Sequence, residues 1–167
     1  MARIVVSDAS VLIGLAIVDG LNWLPQLFGT VWIPESVRRE ILPGFNARGE
    51  TEISLAIKQK VLKIWTKSTL PHTTEFPGLD EGETDCLRIA IAAGKKTSLI
   101  LMDERAGRAA AKDLTIAVAG TAAIIGLAER SGLIKSAKAR FATLHATHFR
   151  ISKAVIKTVL ESVEEHR

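Results

Sequence analysis

The chain has 167 residues, of which 47% are hydrophobic and 24% are charged, and its formal net charge is +4. This length and apolar content are sufficient to bury the core of one domain. No uncharged apolar run of about 18 residues occurs, which argues against a membrane-spanning helix or a signal peptide. The single cysteine, Cys86, cannot form an intramolecular disulfide, and no Cys/His cluster accompanies it. We therefore expect a cytoplasmic protein without a membrane anchor or structural zinc.

Basic residues are concentrated in the last part of the chain. From Arg130 onward, the chain contains eight Lys or Arg residues and three Glu residues. Such an excess is compatible with an anionic partner such as nucleic acid, because phosphate neutralisation dominates that kind of binding. An ordinary solvated helix surface is the alternative interpretation.

Strand and helix patterns alternate through the first half of the chain. Short β-branched segments such as RIVVS are typical of strands buried on both faces of a sheet, and apolar residues at helical spacing mark the segments between them. The predicted elements are a strand over 3–7, helices over 11–18 and 21–28, a strand over 30–33, a helix beginning near Pro34, a helix over 49–59 and an edge strand over 61–65.

The second half continues the alternation after a polar segment that contains two prolines. The predicted elements are a surface loop over 67–77, a helix with an acidic start after Leu79, a strand over 98–102, a helix over 106–112, a strand over 115–118, a helix over 121–131, and two helices over 136–148 and 152–166. The pattern predicts an α/β fold with a central, mostly parallel sheet flanked by helices and a C-terminal helical appendage.

Two carboxylates directly follow apolar strands. Asp8 ends the first strand segment, and Asp103 ends the segment SLILM. Ligands of open parallel sheets bind beyond the carboxyl ends of the strands, so these positions suit a functional site. A helix N-cap is the competing interpretation for each of them.

Two further acids occur at the edges of apolar helices. Glu40 lies beside Arg38 and Arg39, so a surface ion pair is its structural alternative. Glu83 stands three residues after Asp80, which is the spacing of a capping box. Residues two apart on a helix point about 200° apart, so Glu83 and Asp85 cannot easily face one site together.

Convergence of three or four of these acids would require a counter-charge. A hard divalent cation with oxygen ligands, Mg²⁺ or Mn²⁺, is the usual solution. Such an ion can activate water and stabilise the charge on a leaving oxygen. The acids therefore predict metal-assisted phosphodiester hydrolysis.

Five sequence blocks carry a resemblance to a known family. They are, in order, VVSDASVLIGLA, IPESVRREIL, LDEGETDCLRIAIAAG, LILMDERAGRAAAK and VAGTAAIIGLA. Together they resemble the PIN-domain family, particularly its prokaryotic toxin-like branch related to the VapC ribonucleases. The resemblance extends from Ile4 to about Leu133 and continues more weakly through FRISKAVIKTVL. We therefore divide the chain into a PIN-like nuclease domain over 1–133 and C-terminal helices over 134–167 that pack on the same domain.

The resemblance implies a Rossmann-like α/β/α domain with Mg²⁺- or Mn²⁺-dependent endoribonuclease activity on RNA. It also implies a homodimer and a small antitoxin protein as a partner. The matching positions for catalysis and metal binding are Asp8, Glu40, Glu83 and Asp103. The register between Glu83 and Asp85 stays open, although the 20 residues from Glu83 to Asp103 favour Glu83.

Three other residues are predicted to contact the substrate. Ser10 resembles the hydroxyl that the family places near the metal, and Arg108 and Thr121 could bind phosphate, the second from a helix N-terminus. Cys86 and the three tryptophans fit an apolar core better than a site, and a metal held by His145 and His148 lacks a nearby acid. The competing function is a non-catalytic PIN-fold module for RNA binding or assembly.

Overall fold

A five-stranded parallel sheet forms the centre of the described part of the molecule. A computed structural model describes residues 3–66 and 75–166. The strands within them are β1 (Ile4–Ser7), β2 (Val31–Ile33), β3 (Leu62–Ile64), β4 (Ser98–Leu101) and β5 (Ala117–Ala119). Their order is β3-β2-β1-β4-β5, and all four neighbouring pairs are parallel. The predicted parallel sheet is therefore confirmed, and the strand at 61–65 is an edge strand as expected.

Nine α-helices flank this sheet in the described residues. They are α1 (Ala9–Ile17), α2 (Leu24–Phe28), α3 (Glu35–Ile41), α4 (Glu50–Lys58), α5 (Glu81–Ala93), α6 (Arg105–Asp113), α7 (Thr121–Arg130), α8 (Ala137–His145) and α9 (Lys153–Glu164). Helix α5 packs on the central strands β1 and β4, and α7 packs against α8 and α9. The predicted Rossmann-like α/β arrangement with C-terminal helices is confirmed.

Burial explains why the central strands have no polar face. Val5 and Val6 of β1 are almost fully buried, and all four residues of β4 are buried. Strands covered by helices on both faces bury both sets of alternating side chains, so a polar side chain is accommodated best at the strand end. Asp8 and Asp103 therefore lie at the carboxyl ends of two neighbouring parallel strands, β1 and β4, one and two residues after the strands end.

Several predicted boundaries differ from the structure by one to three residues, including the start of β5 and the end of α8. Strand β5 begins at Ala117 instead of Thr115, because Thr115 adopts a left-handed conformation with φ of 59°. The Ile116 N–H then donates to the Ala111 carbonyl at 2.9 Å, which ends α6 before the strand can begin. Helix α3 begins at Glu35 with Pro34 as its N-cap, in agreement with the predicted start near Pro34. Most of the loop predicted over 67–77 lies outside the described residues.

The C-terminal helices are closely joined to the rest of the domain. A Cβ on Gly126 of α7 would lie 2.5 Å from Cγ1 of Val159, so the glycine permits the close approach of α9. The division of the chain at residue 133 remains a prediction. Within residues 3–66 and 75–166, no single helix is long and apolar enough to cross a membrane, and only Ala9–Ile17 and Leu21–Phe28 together, with a 109° bend, reach that length and composition.

Candidate metal centre

Asp8 is buried at the carboxyl end of β1. Its N–H donates to the Leu101 carbonyl at 2.9 Å, which joins the end of β1 to the end of β4. Only 4% of the residue is exposed, and the Ser10 hydroxyl donates to Oδ2 at 3.3 Å. Asp8 occupies the N-cap position of α1, but its side chain makes no capping hydrogen bond. Helix capping therefore does not account for this carboxylate.

The start of α5 brings two more carboxylates toward Asp8. Asp80 and Glu83 form the predicted capping box, in which the Glu83 N–H donates to Asp80 Oδ1 at 2.7 Å and the Asp80 N–H donates to Glu83 Oε2 at 3.0 Å. A Cβ on Gly82 would lie 3.5 Å from both Asp8 Oδ1 and Asp80 Oδ1, and 3.0 Å from Val37. Glycine at this position thus lets the acidic end of α5 lie beside Asp8.

The pKa values of Asp8, Glu40 and Glu83 are raised in this acidic cluster. The pKa of Asp8 is raised from 3.8 to about 7, first by burial and then by repulsion from Asp80, Glu83 and Glu40, against a lowering contribution from the Ala9 amide. Glu40 is exposed at the surface, but partial desolvation of its carboxyl and repulsion from Asp80 and Glu83 also raise its pKa. The pKa of Glu83 is raised by burial, and by Asp80 and Glu104.

No basic side chain in the described part of the chain forms an ion pair with Asp8, Glu40 or Glu83. The two arginines beside Glu40 in sequence have other partners. Arg38 pairs with Glu35, and Arg39 pairs with Glu81 at 2.8 Å. The surface ion pair that was the structural alternative for Glu40 is therefore not formed.

Asp85 differs from Glu83 in having compensating partners. The Ser36 hydroxyl of α3 donates to Asp85 Oδ2 at 2.7 Å, and Arg88 pairs with Oδ1 at 3.3 Å. Glu83, in contrast, accepts from the Asp80 N–H but has no ion-pair partner among the described residues, and its charge contributes to the repulsion that raises the pKa of Asp8. The electrostatic surroundings favour Glu83 as the acid of the site, and the choice between the two remains a prediction.

Asp103 is held by the first residue of α7. Its Oδ1 accepts from the Thr121 N–H at 2.7 Å, and its Oδ2 accepts from the Thr121 hydroxyl at 2.6 Å. Within residues 3–66 and 75–166, no three His, Cys, Asp or Glu side chains are arranged to hold one metal ion. The acids thus form an interacting group of Asp8, Glu40 and Glu83, with Asp103 bound to Thr121 at the neighbouring strand end.

The predicted substrate-binding residues lie near the two strand ends that carry Asp8 and Asp103. Ser10 contacts Asp8, whereas Thr121 contacts Asp103. Arg108 Nη1 donates to the Met102 carbonyl at 2.9 Å, close to Asp103. Near both side chains, a Cβ on Gly120 would lie 2.7 Å from Asp103 Oδ1 and 3.0 Å from Arg108 Nη1.

Asp80, which the sequence predicts only as a helix cap, also contributes charge to the acidic group. Its capping motif was visible, whereas its proximity to Asp8 depends on how α5 packs beside β1. Cys86 is fully buried, as predicted, and burial raises the pKa of its thiol well above the ordinary value. His145 Nε2 accepts from the Ile151 N–H at 3.3 Å, which gives this histidine a structural role.

The chemistry of these donors suits a hard divalent cation, although no three of the described acids are arranged around a single ion site. The group consists of carboxylate oxygens, its central member is buried with a strongly raised pKa, and no described basic side chain neutralises it. Mg²⁺ and Mn²⁺ are bound by such oxygen donors. The residues that could hold the ion are Asp8, Glu40 and Glu83, with Asp103 at the adjacent strand end.

Comparison with known proteins identifies the family. No curated protein and no solved structure gives a significant match to the chain. The model of the family DUF3368, described as a PIN domain, matches residues 4–165 and therefore includes the C-terminal helices α8 and α9. PIN domains are usually nucleases. Because the match covers nearly the whole sequence, the chain belongs to the DUF3368 family of PIN domains.

Proposed function

We propose that the protein is a divalent-metal-dependent endoribonuclease that acts as the toxin of a toxin-antitoxin-like pair. The observation that carries the proposal is the buried Asp8 carboxylate, whose pKa is raised to about 7 beside Asp80, Glu83 and Glu40. Ionisation of such a group costs electrostatic free energy, and a bound cation would offset this cost. Family membership supports nuclease chemistry in general, because PIN domains are usually nucleases.

Mg²⁺ or Mn²⁺ would be held by Asp8, Glu40, Glu83 and Asp103. When bound, such an ion polarises the scissile phosphodiester and makes water a stronger nucleophile. The chain orients its own donors before any ligand binds. The Ser10 hydroxyl fixes Oδ2 of Asp8, and the capping box fixes Glu83.

Thr121 and Arg108 would act on the substrate side of the site. Thr121 orients Asp103 through both its N–H and its hydroxyl. The Arg108 guanidinium is anchored through Nη1 on the Met102 carbonyl, and its other nitrogens can donate to a phosphate. This arrangement would hold an RNA phosphate beside the acids.

The direct test is cleavage of single-stranded RNA by the purified protein with added Mn²⁺ or Mg²⁺. We expect cleavage that chelation abolishes and that an Asp8→Asn/Asp103→Asn double variant lacks. Asp113→Asn is the matched control, because Asp113 is exposed at the end of α6. Equal cleavage by the double variant and the control would refute the proposed site.

A second candidate function is a non-catalytic module that binds RNA. It is favoured by the engagement of both Asp103 oxygens by Thr121, and by the absence, in the described residues, of a metal-holding arrangement. Salt-dependent RNA binding without cleavage and without saturable Mn²⁺ binding would support this module over the nuclease.

The antitoxin and homodimer belong to the same proposal. Phe45 and Leu55 are 76% and 52% exposed, and a protein partner would cover such apolar side chains. The test is light scattering after size exclusion, with Leu55→Glu compared with the unchanged protein. A monomer in both samples would contradict the homodimer.

A further inference from the structure

A cleft of about 320 Å³ opens beside Asp103, where β4 ends. It lies between the start of α7, the start of α9 and the connection from α8 to α9. Its charged lining residues are Asp103, Arg108 and Arg150. The volume falls at the lower end of the range of roughly 300–1,000 Å³ that is typical of small-ligand sites. The cleft can therefore take a ligand of limited size.

The charges around this cleft favour an anion. The Asp103 carboxylate is stabilised by two hydrogen bonds from Thr121, whereas neither Arg108 nor Arg150 has an ion-pair partner among the described residues. Arg108 donates from Nη1 to a carbonyl, and Arg150 donates from Nη1 to the carbonyl of Thr147 and to those of His145 and Phe149 at 3.0 and 3.2 Å. The Nε and Nη2 donors of each guanidinium make no hydrogen bond with described residues. Guanidinium groups with such donors match the geometry of phosphate.

The rest of the lining is mainly apolar. Ile151 and Val155 border the cleft, and Val155 is 46% exposed. A wall of this kind beside two arginines suits a ligand that joins a phosphate to an apolar surface. A nucleotide has both parts, since its base offers an apolar face.

Phe149 fixes the segment that carries Arg150. A Cβ on Gly14 of α1 would lie 2.8 Å from the Phe149 ring and 3.1 Å from Cγ2 of Thr121. The ring is thus seated against α1 and the start of α7. This contact places the segment that carries Arg150 beside the start of α7, whose first residue binds Asp103.

We propose that this cleft is the subsite for the nucleotide next to the scissile phosphate of single-stranded RNA. Arg108 and Arg150 bind its phosphate, and Ile151 and Val155 cover its base or ribose. The position relative to the scissile bond rests on the proposed nuclease function, because Asp103 links the cleft to the acids. A single strand is required, since its unstacked bases can enter such a cleft.

The test is fluorescence anisotropy with labelled oligouridylate in the presence of a chelator, which separates binding from cleavage. Arg108→Gln and Arg150→Gln should each weaken binding by about ten-fold, the loss expected for one charged hydrogen bond. Each should also reduce the slope of log affinity against log salt by about 0.7, the effect of one lost phosphate contact on a single strand. Arg130→Gln, at the exposed opposite end of α7, is the control and should change neither quantity by as much. Unchanged affinity and slope in both cleft variants would overturn the proposal.

A second pair of variants leaves both arginines in place, so that their hydrogen bonds to backbone carbonyls are retained. Ala123 is exposed and lines the cleft, so Ala123→Glu should weaken binding and Ala123→Lys should strengthen it. Ala142→Glu, on the exposed face of α8, is the matched control. Equal effects of glutamate at both positions would overturn the subsite, as would displacement of the RNA by polyglutamate at equal charge concentration.

The two proposals fail in distinguishable ways. Absence of metal-dependent cleavage, with the binding pattern intact, would refute the nuclease and leave an RNA-binding cleft. Metal-dependent cleavage with no effect of the cleft variants on binding would refute the subsite and leave the nuclease.

Discussion

The carboxylates at the ends of the neighbouring strands β1 and β4 have opposite electrostatic surroundings. At the end of β1, Asp8 is buried among other acids, and no described basic side chain compensates it. At the end of β4, Asp103 accepts two hydrogen bonds from Thr121 and lies close to Arg108. Ionisation of the first carboxylate therefore costs electrostatic free energy, whereas the second is already stabilised by hydrogen bonds. Under the proposed function, the first would belong to a cation-binding half of the site and the second to a substrate-facing half.

The largest expected effect is on stability without metal. A carboxylate whose pKa is raised by folding binds more protons in the native state than in the unfolded state between pH 3.8 and about 7. Its contribution to the free energy of unfolding is therefore favourable at low pH and decreases through that window, by at most about 4 kcal/mol. Chemical denaturation in chelator at several pH values should show this decrease, and Asp8→Asn should remove most of it. Identical pH profiles for both proteins would contradict the assigned pKa.

The next effect distinguishes Glu83 from Asp85, two of the three acids of α5. Glu83→Gln should lower RNA cleavage by at least about 100-fold, because loss of a metal ligand costs at least as much as loss of a residue that orients one. The amide oxygen of glutamine can still accept from the Asp80 N–H, so the helix start is retained. Asp85→Asn, two residues away, should change the rate only a few-fold. A larger loss of cleavage in Asp85→Asn than in Glu83→Gln would assign the metal-binding role on α5 to Asp85.

Thr121→Val tests the stabilised half of the site. The substitution keeps the side-chain volume but removes the hydroxyl that donates to Asp103 at 2.6 Å. We expect a loss of about 2 kcal/mol in the free energy of unfolding, the usual cost of a hydrogen bond to a charged group. Thr158→Val, on the exposed face of α9, should change stability by less than about 0.5 kcal/mol. An equal loss in both variants would argue against a specific role for the Thr121 hydroxyl.

The smallest effect separates the capping role of Asp80 from its charge. Asp80→Ala should destabilise the protein by about 1 kcal/mol through loss of the cap. Asp80→Asn retains a capping oxygen and removes repulsion on Asp8, so near pH 7 in chelator it should be neutral or stabilising. Thermal unfolding followed by circular dichroism measures both. Equal destabilisation by the two variants would mean that the charge of Asp80 does not affect Asp8.

The fold was readable from sequence because the strands are apolar and the turns have distinct chemistry. RIVVS and SLILM have no polar face, which predicts burial on both sides, and both are central strands. The start of β5 was predicted two residues early, because TIAV has strand character throughout while Thr115 adopts φ of 59°. The left-handed conformation is set by the end of α6, which periodicity does not reveal.

The site was only partly readable for a related reason. Asp8 and Asp103 could be found because each follows an apolar strand. The contribution of Asp80 to the acidic group and the Thr121 contact to Asp103 depend on how helices dock on the sheet. The cleft that carries Arg150 joins segments more than 40 residues apart, so no local motif marks it.

The central claim is that the acids around Asp8 bind a divalent cation. Calorimetric titration of Mn²⁺ into the protein at pH 7, in buffers of different ionisation enthalpy, tests it most directly. We predict saturable binding with release of protons, since a bound cation ionises the Asp8 carboxyl, and loss of this binding in Asp8→Asn. Absence of saturable binding at millimolar Mn²⁺, or equal binding by Asp8→Asn, would contradict the claim.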